Sequence, residues 1–329
     1  MKFQTSIKVA YQNFVAAIAD RRQKRRLNDD VVRDIKDFLK KNCSRMSLDT
    51  GYRKKLIQSI NYSLTHISGL IDQIPGPIDL DSELWSDQPV LHSIFLNPEE
   101  IISLLKSNKD LQSVLSKTAN TEVFALLSST LHKKTVLGTE KTGEILRRDV
   151  PKKSISFDNH QIIAPAMTIS ESQFKIKRLA LNSLCSQTFK ETADLQAWKK
   201  ELEEQQALLK FKLSTEMSPD TQADLKETEQ ILSDIKNKLL SINNQINVTD
   251  EHLNRITRIF ESPEKHLTLT IEKLKLDHLG FELKAASTDR SDEFSIAEFQ
   301  FGQAPKRAAI WVRIKQETLS GEDNKINNH

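Results

Sequence analysis

The chain has 329 residues, 38% of them hydrophobic and 28% charged, with 48 lysines and arginines set against 45 aspartates and glutamates. That apolar share is enough for packed cores and excludes a disordered chain, while a net charge of +3 excludes bulk attraction of the whole molecule to nucleic acid or membrane. Cys43 and Cys185 lie far apart without CxxC or Cys/His spacing, which argues for a reducing compartment and against a disulfide framework or a structural zinc site.

Met1-Lys2-Phe3-Gln4 lacks the apolar run of a signal peptide, and no stretch of about 18 apolar residues is present to span a membrane. The expectation is a cytoplasmic protein without a transmembrane segment. Phe3, Ile7, Phe14 and Ile18 predict a first helix that ends in the run Arg21, Arg22, Gln23, Lys24, Arg25, Arg26. Asn28 before Asp29 and Asp30 reads as the cap of a second helix carrying Val31, Val32, Ile35, Phe38 and Leu39. Tyr52, Leu56, Ile60, Leu64, Ile67 and Ile71 mark a third, closing an N-terminal helical unit at residues 1–74.

Residues 75–134 read as loop and short helices packed on that unit. Asn97-Pro98-Glu99-Glu100 combines a capping side chain, a proline at the first helical position and acids facing the dipole. Val123, Phe124, Leu127 and Leu131 read as one more helix, so that everything to His132 is helical. From Thr135 glycines appear and Ile145, Arg147, Ile155, Phe157 and Ile162 turn towards alternation, predicting a hairpin or small meander.

Between Pro165 and Pro263 there is no glycine and one proline, Pro219. Leu225, Leu232, Leu239, Ile246, Leu253 and Phe260 recur every seven residues, interleaved with Thr228, Ile235, Ile242, Thr249 and Ile256. This pattern predicts a long antiparallel coiled-coil hairpin over 169–263, its turn near 214–219, each arm reaching about 60 Å. Strand texture then returns through Leu267, Leu269, Ile271, Phe294, Ile296, Ile310, Val312 and Ile314, and 319–329 is a polar tail. The resulting expectation is an α+β chain, predominantly α-helical. It has an N-terminal helical domain and a small β-rich domain from 135–168 and 264–318, the latter interrupted by the coiled-coil arm.

No phosphate-binding glycine loop, HExxH or GxSxG occurs, and no cofactor or metal is assigned. Asp158 and His160 are the one candidate pair for catalysis or metal binding, since i and i+2 share a strand face; the alternative is that Asp158-Asn159 is a turn. Arg147, Arg148 and Asp149 read as lying one strand earlier. The cations at 21–26 could hold phosphates or simply solvate a helix end. Trp198, in an otherwise leucine-rich seam, reads as a core residue of the coiled coil or, alternatively, as a partner contact, and Met217, near the apex, is a second candidate contact. Three readings follow. The first is a non-enzymatic protein-interaction or scaffold protein that binds a partner, or itself, through the coiled coil. The second is nucleic-acid binding through Arg21, Arg22, Lys24, Arg25 and Arg26, and the third is an enzyme or metal protein around Asp158 and His160.

Overall fold

The computed structural model describes residues 21–33, 35, 50–116, 122–142, 145–215, 222–247, 249–277, 280–283 and 292–315. In chain order these form α1 (21–33), α2 (Thr50–Ile71), β1 (Ile78–Asp79), α3 (Pro89–Ile94), α4 (Pro98–Ser107), α5 (Lys109–Leu115), β2 (Glu122–Thr142), β3 (Ile145–Ala166), α6 (Ile169–Thr215), α7 (Gln222–Asn247), α8 (Thr249–Glu261), β4 (Leu267–Leu276), β5 (Asp292–Phe301) and β6 (Arg307–Lys315). Two compact units result, each assembled from two stretches of sequence: Met1–Thr65 with Leu181–Pro263, and His66–Ala180 with Glu264–His329.

The second unit is built on one sheet in the order β3-β2-β6-β5-β4, with β1 added in parallel to β6. β6 is buried on both faces, which is why Ala308 to Val312 reads as a continuous apolar run. Ile310, Val312 and Ile314 join Ile296, Leu274, Val123 and Leu127 in a core on the first face. Trp311, buried on the other face, faces Leu126 in the register of β2. Short helices cover the first face. Asn97 caps α4 by accepting from the Glu100 amide at 2.9 Å. Asn108 caps α5 through the Leu111 amide and donates to the Ile162 carbonyl at 3.0 Å, so the same side chain starts a helix and ties it to β3.

The sheet curls into a half-barrel. Three irregularities in the β2–β3 ladder fall where β3 carries residues at positive φ: Asp149 (59°), Asn159 (49°) and Ala164 (55°). Each inserts an extra residue that bends the strand and shifts which side chains face the core. Ile155 and Phe157 thus share a core with Ile162, although their positions differ in parity. The two outer strands are joined by 280–283: the Ile155 amide donates to the Gly280 carbonyl and the Glu282 amide to the Lys153 carbonyl, while the Leu283 amide reaches the Lys275 carbonyl on β4, each at 2.8 Å.

Asp and Asn tolerate the left-handed conformation through their short polar side chains, whereas alanine does not. Ala164 is held there by its surroundings: its carbonyl accepts from Ser172 Oγ at 2.7 Å, and the next carbonyl, of Pro165, accepts from Lys175 Nζ at 2.6 Å. Ala164→Gly is expected to stabilise the protein by about 1 kcal/mol, read as a raised midpoint in urea unfolding. A lowered midpoint would contradict it.

The first unit is helical. Asn28 Nδ2 on α1 donates to Asn61 Oδ1 on α2, and Ser63 Oγ on α2 donates to the Phe260 carbonyl on α8 at 2.6 Å. α6 meets α7 through Leu202, Ile235, Leu239, Ile242 and Ile246.

These findings correct the expected fold class. Helix accounts for 57% of the structure and strand for 29%, with strands of 21 and 22 residues, so the sheet is not a small insertion host. The helical N-terminal segment is not a domain of its own, because α1 and α2 up to Thr65 group with Leu181–Pro263. Nor is there one coiled-coil hairpin. The heptad series from Leu225 to Phe260 is divided between α7 and α8. Beyond the stripe that α6 shares with α7, α8 bonds to two helices, to α6 through Arg255 and Thr192 and to α2 through Ser63 and the Phe260 carbonyl. Among the described residues a short buried stripe joins α6 to α7, with Leu195 and Leu209, partly buried, packed against it. Residues 122–132, expected to be helical, begin β2. Val123, Ala125, Leu126, Leu127, Ser128 and Ser129 are all buried there, and a strand covered on both faces shows no period of two. Among the described residues no helix is long and apolar enough to cross a membrane.

Candidate functional site

The widest cleft among the described residues lies in the helical unit, between α6, the end of α7 and α8. It encloses about 750 Å³ and is lined by Glu191, Asp194, Leu195 and Trp198 from α6, Ser241, Asn244 and Gln245 from α7, and Glu251, Arg255 and Arg258 from α8. Trp198 is 46% exposed in it, against the expectation of a seam residue. Arg255 forms the floor at 7% exposure and donates to Thr192 Oγ1 at 3.3 Å and the Gln245 carbonyl at 3.5 Å. Thr192 in turn donates to the Thr188 carbonyl, and Thr188 to that of Cys185. Arg255 and Arg258 were not singled out by sequence reasoning. The one trace was Thr188 interrupting an apolar series, because a buried hydroxyl calls for a polar neighbour.

The cations at 21–26 lie along α1 and do not end a helix. α1 runs on through Asn28, which is therefore not an N-cap but a buried interior residue whose Oδ1 has no hydrogen-bond partner. Arg21, Lys24, Arg25 and Asn28 line a second cleft, of about 410 Å³, with Arg53 from α2; Asp29 lies 3.6 Å from Arg53 and offsets part of its charge. Met217 falls outside the described residues.

Asp158 and His160 both sit on β3 but have separate surroundings. The bulge at Asn159 breaks the i, i+2 rule: Asp158 pairs with exposed His132 at 2.9 Å, whereas His160 Nδ1 meets Ser129 Oγ at 2.8 Å and its ring lies 4.6 Å from that of Phe95. Burial pushes the His160 imidazole down from its ordinary value, against the opposing charges of Glu100 and Asp158. This is a packed histidine facing the core side. Arg147, Arg148 and Asp149 occupy the same strand, not an earlier one. Among the described residues no group of three or more His, Cys, Asp or Glu is placed to hold a metal ion.

A fourth cluster spans β2, β4, β5 and the start of β6. Lys133 Nζ binds both Glu272 oxygens and lies 3.5 Å from Glu298, which also accepts from Lys306 at 2.6 Å. Burial alone would raise the Glu298 carboxyl, but the Lys306 hydrogen bond and the Lys133 charge together hold it below its ordinary value. All four side chains are mutually matched, so the cluster ties strands together and leaves no charge for a ligand.

No family model, curated protein or solved structure matches this chain. The assignment of a site therefore rests on geometry alone. Of the candidates, the Trp198 cleft is the largest, and it alone joins a large exposed aromatic to charges of both signs.

Proposed function

We propose that this is a non-enzymatic protein-interaction protein that docks a partner in the Trp198 cleft of its helical unit. The observation that carries the reading is the half-exposed indole in the widest described cleft. Tryptophan supplies large contact area at little entropic cost and dominates the binding energy of many interfaces. Glu191, Asp194 and Glu251 around it suit a partner residue with an arginine or lysine head, which can sit over the indole face and pair with a carboxylate at once.

The test is affinity recovery from native extract with the full chain and with Trp198→Ala, each with and without nuclease, followed by titration of the recovered partner. The expected result is a protein retained after nuclease whose affinity falls about thirtyfold or more in the variant, the loss typical of a hot-spot aromatic. A partner bound equally by both chains would overturn the reading.

The basic cleft favours a second reading, nucleic-acid binding, because Arg53 joins the α1 cations from a different helix. Recovery that depends on nucleic acid, falls steeply with salt and is lost when Arg21, Arg22, Lys24, Arg25 and Arg26 are neutralised would move this reading to first place.

A further inference from the structure

The sheet-bearing unit carries a cavity that the interaction reading does not use. On the second face of the sheet, opposite the main core, about 270 Å³ is enclosed beneath the end of α2 and the start of α6. Ile71, Ile74, Leu126, Ile163, Ala180 and Phe299 supply much of its wall, and Leu179, 49% exposed, stands at its rim. The size is near the lower limit for small-molecule sites, and a lining mostly apolar with a few placed polar groups is their usual make-up.

The polar groups at this cavity are Arg307, Gln161, Gln300 and Thr268. Arg307 is fixed rigidly: Nε donates to Ser128 Oγ at 2.8 Å, and Nη2 to the Ser128 carbonyl at 3.3 Å and the Asn159 carbonyl at 2.9 Å. All three acceptors are neutral, and Nη1 takes part in none of these bonds. The neighbouring carboxylate on β5, Glu298, is committed to Lys306 and Lys133. A guanidinium oriented by neutral oxygens and bordering an apolar chamber attracts an anion whose remainder is apolar, and Nη1 is left to donate a charge-assisted hydrogen bond to a carboxylate oxygen.

We infer that this cavity binds a medium-chain fatty acid, alkyl chain inside and carboxylate on Arg307. The head meets Arg307, the one cation among the described residues that line the cavity, and the tail covers the leucine, isoleucine and phenylalanine surface.

Isothermal titration of the full chain with dodecanoate below its micellar limit and with dodecan-1-ol below its aqueous solubility tests this. Wild type is expected to bind one dodecanoate at least about tenfold more tightly than the alcohol, the size of effect a charge-assisted hydrogen bond gives. Arg307→Gln should bring dodecanoate down to the affinity of the alcohol, and Arg307→Lys should keep most of the preference. Ala180→Phe, which fills the chamber, should abolish binding of both, with folding of every variant checked by circular dichroism. Absence of binding to wild type would overturn the inference, as would equal affinity for acid and alcohol or an unchanged preference in folded Arg307→Gln. Should Arg307→Gln fail to fold, loss of the preference in Arg307→Lys would overturn it equally.

Discussion

Trp311→Ala is expected to lower the unfolding free energy of the sheet-bearing unit by about 3–5 kcal/mol. The indole is 2% exposed on a strand with neighbours on both sides and both faces covered, so its removal leaves a void that surrounding elements have little freedom to fill. β6 pairs with β1, β2 and β5, so no other strand among the described residues transmits a displacement to as many partners. Urea unfolding followed by far-ultraviolet circular dichroism reads the effect as a lower midpoint. A loss below about 1 kcal/mol would mean that the site collapses easily and that β6 is not the rigid centre of the sheet.

Gly76→Ala should cost about 3 kcal/mol, far more than its single methyl group suggests. Gly76 has φ of 106°, where side chains are strained, and an added Cβ would approach the Trp311 carbonyl oxygen well inside the 3.0 Å limit of real Cβ contacts. Relief requires 75–77 to move away. That movement breaks the bond from the Trp311 amide to the Pro75 carbonyl, 2.8 Å long, and pulls β1 off Val312 and Arg313. It also disturbs the paired hydrogen bonds of Arg313 with Asp79, whose carboxyl they hold below its ordinary value. Gly69→Ala is the control, because nothing lies within 4 Å of its added methyl and α2 surrounds it. There the same change should stabilise by about 0.5–1 kcal/mol. Equal effects at the two positions would refute the account of Gly76.

Local chemistry was the readable part of the sequence. Asn97-Pro98-Glu99-Glu100 starts α4 as its residue types dictate, and the alternation at Leu267–Ile271 and Ile310–Ile314 marks β4 and β6. What could not be read depends on neighbours. β2 hides its period because both faces are covered, and the heptads of 225–260 give a stripe without saying which helix it meets. At Asn28 a residue type suited to capping lies inside a helix, because a neighbouring asparagine offers its amide a partner. The candidate pair Asp158 and His160 failed for a single local reason: one extra residue at Asn159 rotates everything after it to the other face. Arg255 and Arg307, the two arginines that matter to the sites proposed, draw their meaning from acceptors dozens of positions away.

The pairing of β2 with β6 also sets an order of events on the ribosome. Arg307 bonds Ser128, 179 residues earlier, with the long helices α6, α7 and α8 translated in between. At ordinary translation speeds the β2–β3 hairpin emerges roughly seven to thirty seconds before the strand that pairs with its free edge is complete. Through that interval its row of unsatisfied amides and carbonyls, flanked by Leu126 and Leu127, is open to any other nascent chain. The edge of β2 is thus left without its partner until the chain's own distal segment has been made.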